Sequence, residues 1–233
     1  MRLRKSANVI SIAFLALCAM PAFAAETVQV DDRALLPFFT AVALRTKAPD
    51  SDGFLQRWLL LEPIVKPNRS NAGFTPTYVR EALTTQYFPG QFTVVPHDGK
   101  VANASEPLHW HALDSSLFDV KLFNFAKALQ KPTYGVIFWA VTVVYSPRDV
   151  PDVRLAVGSN SASMWWVNGK EAAGLFGDRR MVMDDVVSPP LTLHKGKNVI
   201  RGAVINGPGL SDFCVRFVGP DGQPVRDLSI DIS

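Results

Sequence analysis

The sequence is poor in cysteine, with two among its 233 residues. Cys18 lies in the apolar N-terminal run, and Leu17 stands before it where a lipoprotein signal has a small residue. Cys214 is therefore the single cysteine of the predicted mature chain, which excludes an internal disulfide framework. It lies in the alternating pattern of Phe213–Val218, so we predict a buried small hydrophobe. A nucleophile or an intermolecular disulfide is the alternative.

The sequence also lacks an apolar run long enough to span a bilayer, which takes about 20 residues. Val9–Met20 follows the three positive charges of residues 2–5 and is ended by Pro21. Ala22–Ala24 then supplies the small-x-small site that a signal peptidase reads. We predict a cleavable signal peptide over residues 1–24, a periplasmic or secreted location, and no transmembrane segment in the mature chain. An N-terminal membrane anchor is the alternative.

The predicted mature chain has no excess charge of either sign. The whole sequence carries 24 Lys and Arg against 21 Asp and Glu, but three basic residues and no acidic ones lie in residues 1–24. The mature chain is therefore balanced, and a nucleic-acid partner is excluded because such a surface needs clustered positive charge. Its length fits one domain that folds without disulfides.

No complete catalytic motif is present in the sequence. The nearest match to the Gly-x-Ser-x-Gly elbow of serine hydrolases, at residues 209–213, lacks the second glycine and lies between predicted strands. A dinucleotide fingerprint beginning at residues 207–209 would need glycine where Asp212 stands. Phosphate-cradling loops, His-Glu-x-x-His and Cys-x-x-Cys are absent as well. We therefore predict no catalytic residue and no cofactor.

Short strand patterns separated by turn residues dominate the sequence. Tyr134–Tyr145 is apolar on both faces, which predicts a central strand buried on both sides. Asn168-Gly169 is the strongest hairpin signal. Further strands are predicted at Phe54–Glu62, Phe92–Val95, Leu108–Leu113, Val153–Val157, Ser163–Val167, Met181–Val187, Leu191–Leu193, Asn198–Ile205 and Phe213–Val218.

Helical signals are few. The pattern that begins with the capping residue Thr75 and ends at Gly90 predicts one helix, and Leu117–Leu129 holds a second short helix or an irregular crossing. Residues 25–50 are interpreted as an extended lead-in. We therefore predict an all-β fold, a jelly-roll sandwich over residues 51–233 with one or two short helices.

Two histidines form the most metal-like cluster of the sequence. His109 and His111 are two apart on a predicted strand, so both imidazoles face the same way and could reach one cation. Asp114 or His97 could supply a third ligand, but the spacing demands neither. Two ligands do not make a site, so we predict no bound metal.

Three carboxylates could serve glycoside hydrolysis, which needs two carboxyl groups a few ångströms apart. They are Glu62, Asp184 and Asp185. Adjacent residues of a strand point to opposite faces, so Asp184 and Asp185 are not expected to act together. We interpret the three as a solvated face and a turn.

The pair Trp165-Trp166 is expected to divide between the two faces of its strand. Trp165 shares its parity with Val167, which predicts that Trp165 enters the core. Trp166 then stands on the opposite face and could offer its ring to the apolar side of a sugar. Packing of Trp166 beneath a loop is the alternative.

The region from residue 152 to 218 resembles the sugar-binding β-sandwich of family-two glycoside hydrolases and the related galactose-binding-like modules. The resemblance implies a jelly roll and a carbohydrate ligand, although the same fold also serves as a structural spacer. The similar segments are Leu155–Asn160, Met164–Lys170, Arg179-Arg180 and Leu191–Asn198, with Phe54–Leu61 similar to the opening strand of such modules.

What this resemblance implies is an exported, non-catalytic accessory protein that binds plant or cell-wall polysaccharide, with a partner enzyme possible. The implied carbohydrate-binding residues are Trp166, Asn168, Arg179 and Arg180. Two features depart from the family. Asn160-Ser161 stands where the family often has acidic residues, and the catalytic domain that usually accompanies the module is lacking.

The whole chain is also similar to small exported bacterial proteins identified as acetylxylan esterases. That resemblance implies a carbohydrate esterase, in which a serine would be hydrogen-bonded to a histidine and a carboxylate. A purely structural sandwich, with both tryptophans buried and no cleft, is the third hypothesis.

Overall fold

The computed structural model describes residues 32–67, 74–206 and 209–232. Two antiparallel sheets pack face to face in these residues, which confirms the predicted all-β sandwich. The strands are β1 Phe39–Ala41, β2 Arg57–Leu61, β3 Ile64–Val65, β4 Val101–Asn103, β5 Pro107–Ser115, β6 Val136–Ser146, β7 Val150–Asn160, β8 Ala162–Val167, β9 Lys170–Leu175, β10 Val186–Val187, β11 Leu191–Leu193, β12 Gly196–Ile205, β13 Asp212–Val218 and β14 Ser229–Ile230.

Three short helices accompany the strands in the described part of the chain, where the sequence predicted one or two. They are α1 Asp32–Leu35, α2 Pro76–Thr84 and α3 Leu122–Ala128. None of them is long and apolar enough to cross a membrane. The predicted signal peptide lies outside the described residues.

The large sheet is built around β6 and β12, which pair from Ile137 opposite Ile205 to Ser146 opposite Gly196. Its main path runs β1-β5-β2-β6-β12-β8-β9. β6 is the predicted central strand, and its residues from Val136 to Val144 are all buried. Its apolar residues have packing partners on both faces because the second sheet covers one face and a helical segment covers the other.

The core between the two sheets is aromatic at its centre. In the second sheet β7 pairs with β10, β11 and β13. The rings of Trp58 and Trp165, from the large sheet, lie 5.0 and 4.9 Å from the ring of Phe213 on β13, both edge to face. Gly202 makes room for Trp165, because a Cβ there would lie 2.2 Å from its indole Cζ3.

The outer face of the large sheet is covered by α2 and the segment that follows it. The Thr75 hydroxyl accepts a hydrogen bond from the backbone N–H of Tyr78, so the predicted N-cap is confirmed. α2 packs on β8 and β12 through Val79, Ala82 and Leu83. The prediction of a strand at Phe92–Val95 is wrong, since this stretch is a turn followed by irregular chain.

A second predicted strand, Met181–Val187, is reduced to Val186–Val187. The preceding residues instead cross over β7, where the carbonyl oxygen of Val182 lies so near Gly158 that a Cβ there would be 2.1 Å away. Further upstream, β1 pairs along β5, with Phe39 opposite Ser115. Part of the predicted lead-in over residues 25–50 is therefore the edge of the large sheet.

Candidate functional site

The hairpin at Asn168-Gly169 forms as predicted. Both residues have positive φ, 50° and 80°, between β8 and β9. The Asn168 amide is engaged by the fold, because its Nδ2 donates to Asn198 Oδ1 at 2.9 Å and its Oδ1 accepts from the backbone N–H of Val199 at 2.8 Å. Asn168 thus joins the hairpin to the neighbouring strand β12.

Trp165 and Trp166 do point to opposite faces, but the structure buries both. Trp166 is 8% exposed. Its ring stacks on Trp139 at 5.6 Å and meets the edge of Phe92 at 5.8 Å. The prediction of a ring open to solvent is corrected here: the segment after α2 covers the outer face of the sheet, which strand parity alone does not reveal.

Arg179 and Arg180 lie at the other end of β8 from the hairpin. The Arg179 carbonyl accepts from the backbone N–H of Ser161, and its Nη1 contacts Asp185 Oδ2 at 2.5 Å. Arg180 is exposed. At about 3.3 Å per strand residue, the seven steps from Ser161 to Asn168 span roughly 23 Å. The structure therefore does not gather the four predicted residues into one site, and their role in binding stays a prediction.

An open groove lies beside the hairpin, between β9 and the chain that leads into β11. Its volume is about 380 Å³. Pro189, Pro190 and Leu191 supply apolar surface, while Asn168, Lys170, Glu171, Thr192 and His194 supply polar groups. Of these residues, only Asn168 was predicted from the sequence to bind carbohydrate. The rest were missed because the groove forms only where β9 and the segment before β11 approach each other.

His109 and His111 lie close to Glu62, a carboxylate that the sequence suggested only as a candidate for glycoside hydrolysis. His109 and His111 lie on one face of β5, and Glu62 follows the neighbouring strand β2. Glu62 Oε2 is 3.6 Å from His109 Nδ1 and 3.1 Å from Lys131 Nζ, and Oε1 is 3.5 Å from His111 Nε2. Neither Asp114 nor His97 is the third member of this cluster.

Glu62 is held in its charged form by these neighbours. Burial by itself would raise the pKa of its carboxyl group. The contacts with His111, the backbone N–H of His109 and Lys131 outweigh burial and lower that pKa to about 2. No group of three or more His, Cys, Asp or Glu side chains in the described residues has the geometry to hold a metal ion.

We expect Glu62 to make the stability of the protein depend on pH in the acid range. Its pKa in the folded protein lies below the ordinary value of 4.5, so its contribution is fully present above about pH 4.5 and disappears as the pH falls through about 2. The unfolding free energy of wild type should exceed that of Glu62→Gln by up to about 3 kcal/mol at neutral pH. The difference should shrink between pH 4.5 and 2 in urea titrations. A difference that does not change with pH would show that the contacts around Glu62 carry no charge-dependent stabilisation.

The other two carboxylates that were considered for glycoside hydrolysis pair with arginines. Asp184 contacts Arg216, and Asp185 contacts Arg179. Three of the four imidazoles lie near carboxylates, His194 near Asp149 at 3.9 Å and His109 and His111 near Glu62. Nδ1 of His97 instead contacts the backbone carbonyl of Asp98 at 2.8 Å. Among the contacts of the described residues, no serine hydroxyl bonds to a histidine, so the arrangement that the esterase hypothesis requires is not among them.

Cys214 is buried, and burial raises the pKa of its thiol to about 12. The thiol therefore stays protonated at neutral pH, which agrees with the prediction of a buried small hydrophobe.

Comparison with known proteins finds no matching protein family and no matching curated protein. A β-glucosidase from Kluyveromyces marxianus in complex with glucose is similar in structure over 72% of this chain, at 14% identity and a TM-score of 0.39, and this chain spans 16% of that enzyme. The PA14 sugar-binding domain from an RTX adhesin is similar over 74% of this chain and 95% of its own length, at 9% identity and a TM-score of 0.38.

The PA14 domain of the antifreeze protein MpAFP is similar over 75% of this chain and 86% of its own, at 11% identity and a TM-score of 0.37. These TM-scores and identities are low. The three likenesses therefore assign neither a family nor a ligand to this chain.

Proposed function

We propose that this protein is an exported, non-catalytic accessory protein that binds plant or cell-wall polysaccharide, and that the groove beside the Asn168-Gly169 hairpin is the binding surface. The observation that carries the proposal is the composition of this groove. Pro189, Pro190 and Leu191 line the groove with an apolar shelf, and Lys170, Thr192 and His194 line it with polar groups.

Carbohydrate has the complementary chemistry. The C–H face of a sugar ring is apolar and matches the proline shelf, while its hydroxyl groups both donate and accept hydrogen bonds. Lys170 donates, and Thr192 and His194 can do either. A volume of about 380 Å³ lies within the usual range of small-ligand sites. The groove is open along the surface, so a polysaccharide could pass through it rather than end in it.

The rigidity of the hairpin supports the same assignment. Asn168 is tied to β12 by both the oxygen and the nitrogen of its side-chain amide. A surface that is held in place before binding loses less freedom when the ligand arrives. The charge balance of the predicted mature chain also suits a neutral ligand.

The test is calorimetric titration of the purified mature protein with a panel of xylan, glucan and peptidoglycan fragments. Thr192→Trp fills the groove from an exposed position and should weaken binding by about tenfold or more while the fold is kept. Arg180→Trp is the matched control, because it adds the same ring at an exposed position at the other end of β8.

Each outcome has a defined meaning. Loss of binding in Thr192→Trp alone supports the groove. Loss in Arg180→Trp alone moves the binding surface to the rim that the sequence resemblance indicated. A wild type that binds none of the panel but releases acetate from acetylated xylan replaces the proposal with the esterase hypothesis.

A further inference from the structure

Arg201 is a buried cation on the outer face of the large sheet. It lies on β12, opposite Trp166 on β8 and Val141 on β6. The residue is 4% exposed. Its Nε and Nη2 atoms are fully buried, and neither has a hydrogen-bond partner among the residues that the structure describes.

A buried guanidinium in this position lowers the stability of the fold unless a counter-ion or hydrogen bonds compensate its charge. Taking an ion out of water costs several kcal/mol when neither a counter-ion nor hydrogen bonds replace the water. Burial lowers the pKa of Arg201, and no carboxylate in the described part of the chain opposes that effect. Arg57 is also deeply buried, but its charge is compensated. Both oxygens of Asp114 and two backbone carbonyls accept hydrogen bonds from it.

A second unpartnered donor lies close to Arg201. Trp139 is on β6, opposite Ala203, and therefore on the same face as Arg201 and diagonal to it. Its indole Nε1 is buried and also lacks a partner in the described part of the chain. Trp139 stacks on Trp166, the residue directly across from Arg201, with ring planes 15° apart.

These buried atoms share one chemical character. Arg201 Nε, Arg201 Nη2 and Trp139 Nε1 can all donate hydrogen bonds, and none can accept one. The group that complements them must be rich in acceptors, and it must be negative because it faces an uncompensated positive charge. The planar fork of a guanidinium matches the two oxygens of a carboxylate.

We propose that Arg201 and Trp139 form a binding site for the carboxylate group of a small organic acid or acidic sugar, beneath the cover made by α2 and the segment after it. The site is independent of the groove at the hairpin. That groove lies at the edge of the sheet, and its polar groups come from the hairpin, β9, β11 and the residue that follows β11.

The cover over this site is held by buried apolar contacts of Val79, Ala82 and Leu83 and by an exposed ion pair. Arg80 of α2 reaches Glu171 on β9, and both side chains are about half exposed. Exposed ion pairs contribute about 0–1 kcal/mol, so the buried apolar contacts set most of the free energy needed to open the cover. The carboxylate would enter by displacement of α2 and of Phe92, whose ring lies against Trp139 and Trp166.

The experiment titrates the mature protein with acetate and with glucuronate at constant ionic strength, with chloride as the balancing anion. Melting temperature and tryptophan fluorescence are followed together, because Trp139 and Trp166 adjoin the site. We expect a saturable change in both. The melting temperature should rise by about 5–10 °C at a ligand concentration about 100-fold above Kd.

Arg201→Met keeps the length of the side chain and removes its charge, so the response should disappear. Without ligand its melting temperature should equal or exceed that of wild type, since replacing an unpaired buried charge by an apolar group removes a desolvation cost. Arg226→Met, at an exposed arginine with no assigned role in binding, is the matched control and should keep the full response. Trp139→Phe keeps a ring but removes the donor, and should weaken binding by about tenfold.

Four results would overturn the proposal: no saturable response in wild type, an equal response in Arg201→Met, an unchanged affinity in Trp139→Phe, and a response to sulfate but to neither carboxylate. If Arg201→Met does not fold, Arg201→Lys replaces it. That variant keeps the charge without the fork and should bind about tenfold more weakly, and an unchanged affinity there would likewise contradict the carboxylate. Neutral glycans should not displace the acid, so failure of this site and failure of the groove are separate results.

Discussion

Replacement of Trp166 by alanine is expected to lower the free energy of unfolding by about 3–5 kcal/mol, the usual cost of removing a buried tryptophan. The ring lies between Trp139 and Phe92 and is almost completely covered. Its removal leaves a cavity that neighbours on rigid strands cannot fill. Urea titration followed by circular dichroism measures the loss.

Tyr134→Ala is the control for this prediction, because it removes an aromatic ring that is about half exposed. It should cost no more than about 1 kcal/mol. A Trp166→Ala variant that is as stable as wild type but binds sugar more weakly would contradict the buried position. That result would restore the solvent-facing platform that strand parity suggested.

Replacement of Asp114 by alanine is expected to cost about 3–5 kcal/mol, because it leaves Arg57 charged and buried without a counter-ion. Arg57 is 1% exposed. Its Nε and Nη2 donate to the two oxygens of Asp114 at 2.8 and 3.0 Å. The double variant Arg57→Met with Asp114→Leu removes both charges and should recover most of the loss, which a double-mutant cycle in urea would measure.

The control for this second prediction is the exposed pair of Arg148 and Asp227, whose side chains are 60% and 48% exposed. Asp227→Ala should change the unfolding free energy by about 0–1 kcal/mol. If Asp114→Ala costs no more than Asp227→Ala, then the buried pair does not stabilise the fold as its geometry indicates.

The two buried arginines show where reasoning from sequence stopped. Arg57 follows Gln56 in an apolar stretch that correctly predicted β2, and Arg201 lies within the correctly predicted strand at Asn198–Ile205. The sequence analysis selected neither as a functional residue. Asp114 is 57 residues from Arg57, and nothing local to either indicates that β2 and β5 place them side by side.

The groove and the Glu62 cluster could not be predicted from the sequence for the same reason. His109 and His111 were correctly placed on one face, but the identity of the third group depended on which strand pairs with β5. The absence of Asp114 from that cluster follows from the same pairing, since Asp114 lies opposite Arg57. Nothing in the sequence indicated that Pro189 and His194 would line a groove together with Lys170.

The sequence by itself determined the elements whose cause is local. A run that is apolar on both faces specified β6, Asn168-Gly169 specified the hairpin, and Thr75 specified the start of α2. Each depends on residues within a few positions of one another, where backbone geometry and burial act directly. Only the tertiary structure decided that Trp166 is covered, that Arg201 has no counter-ion among the described residues and that the groove exists. Those facts depend on which distant segment packs against each face of the sheet, and contacts between residues far apart in the chain leave no periodic trace in the sequence.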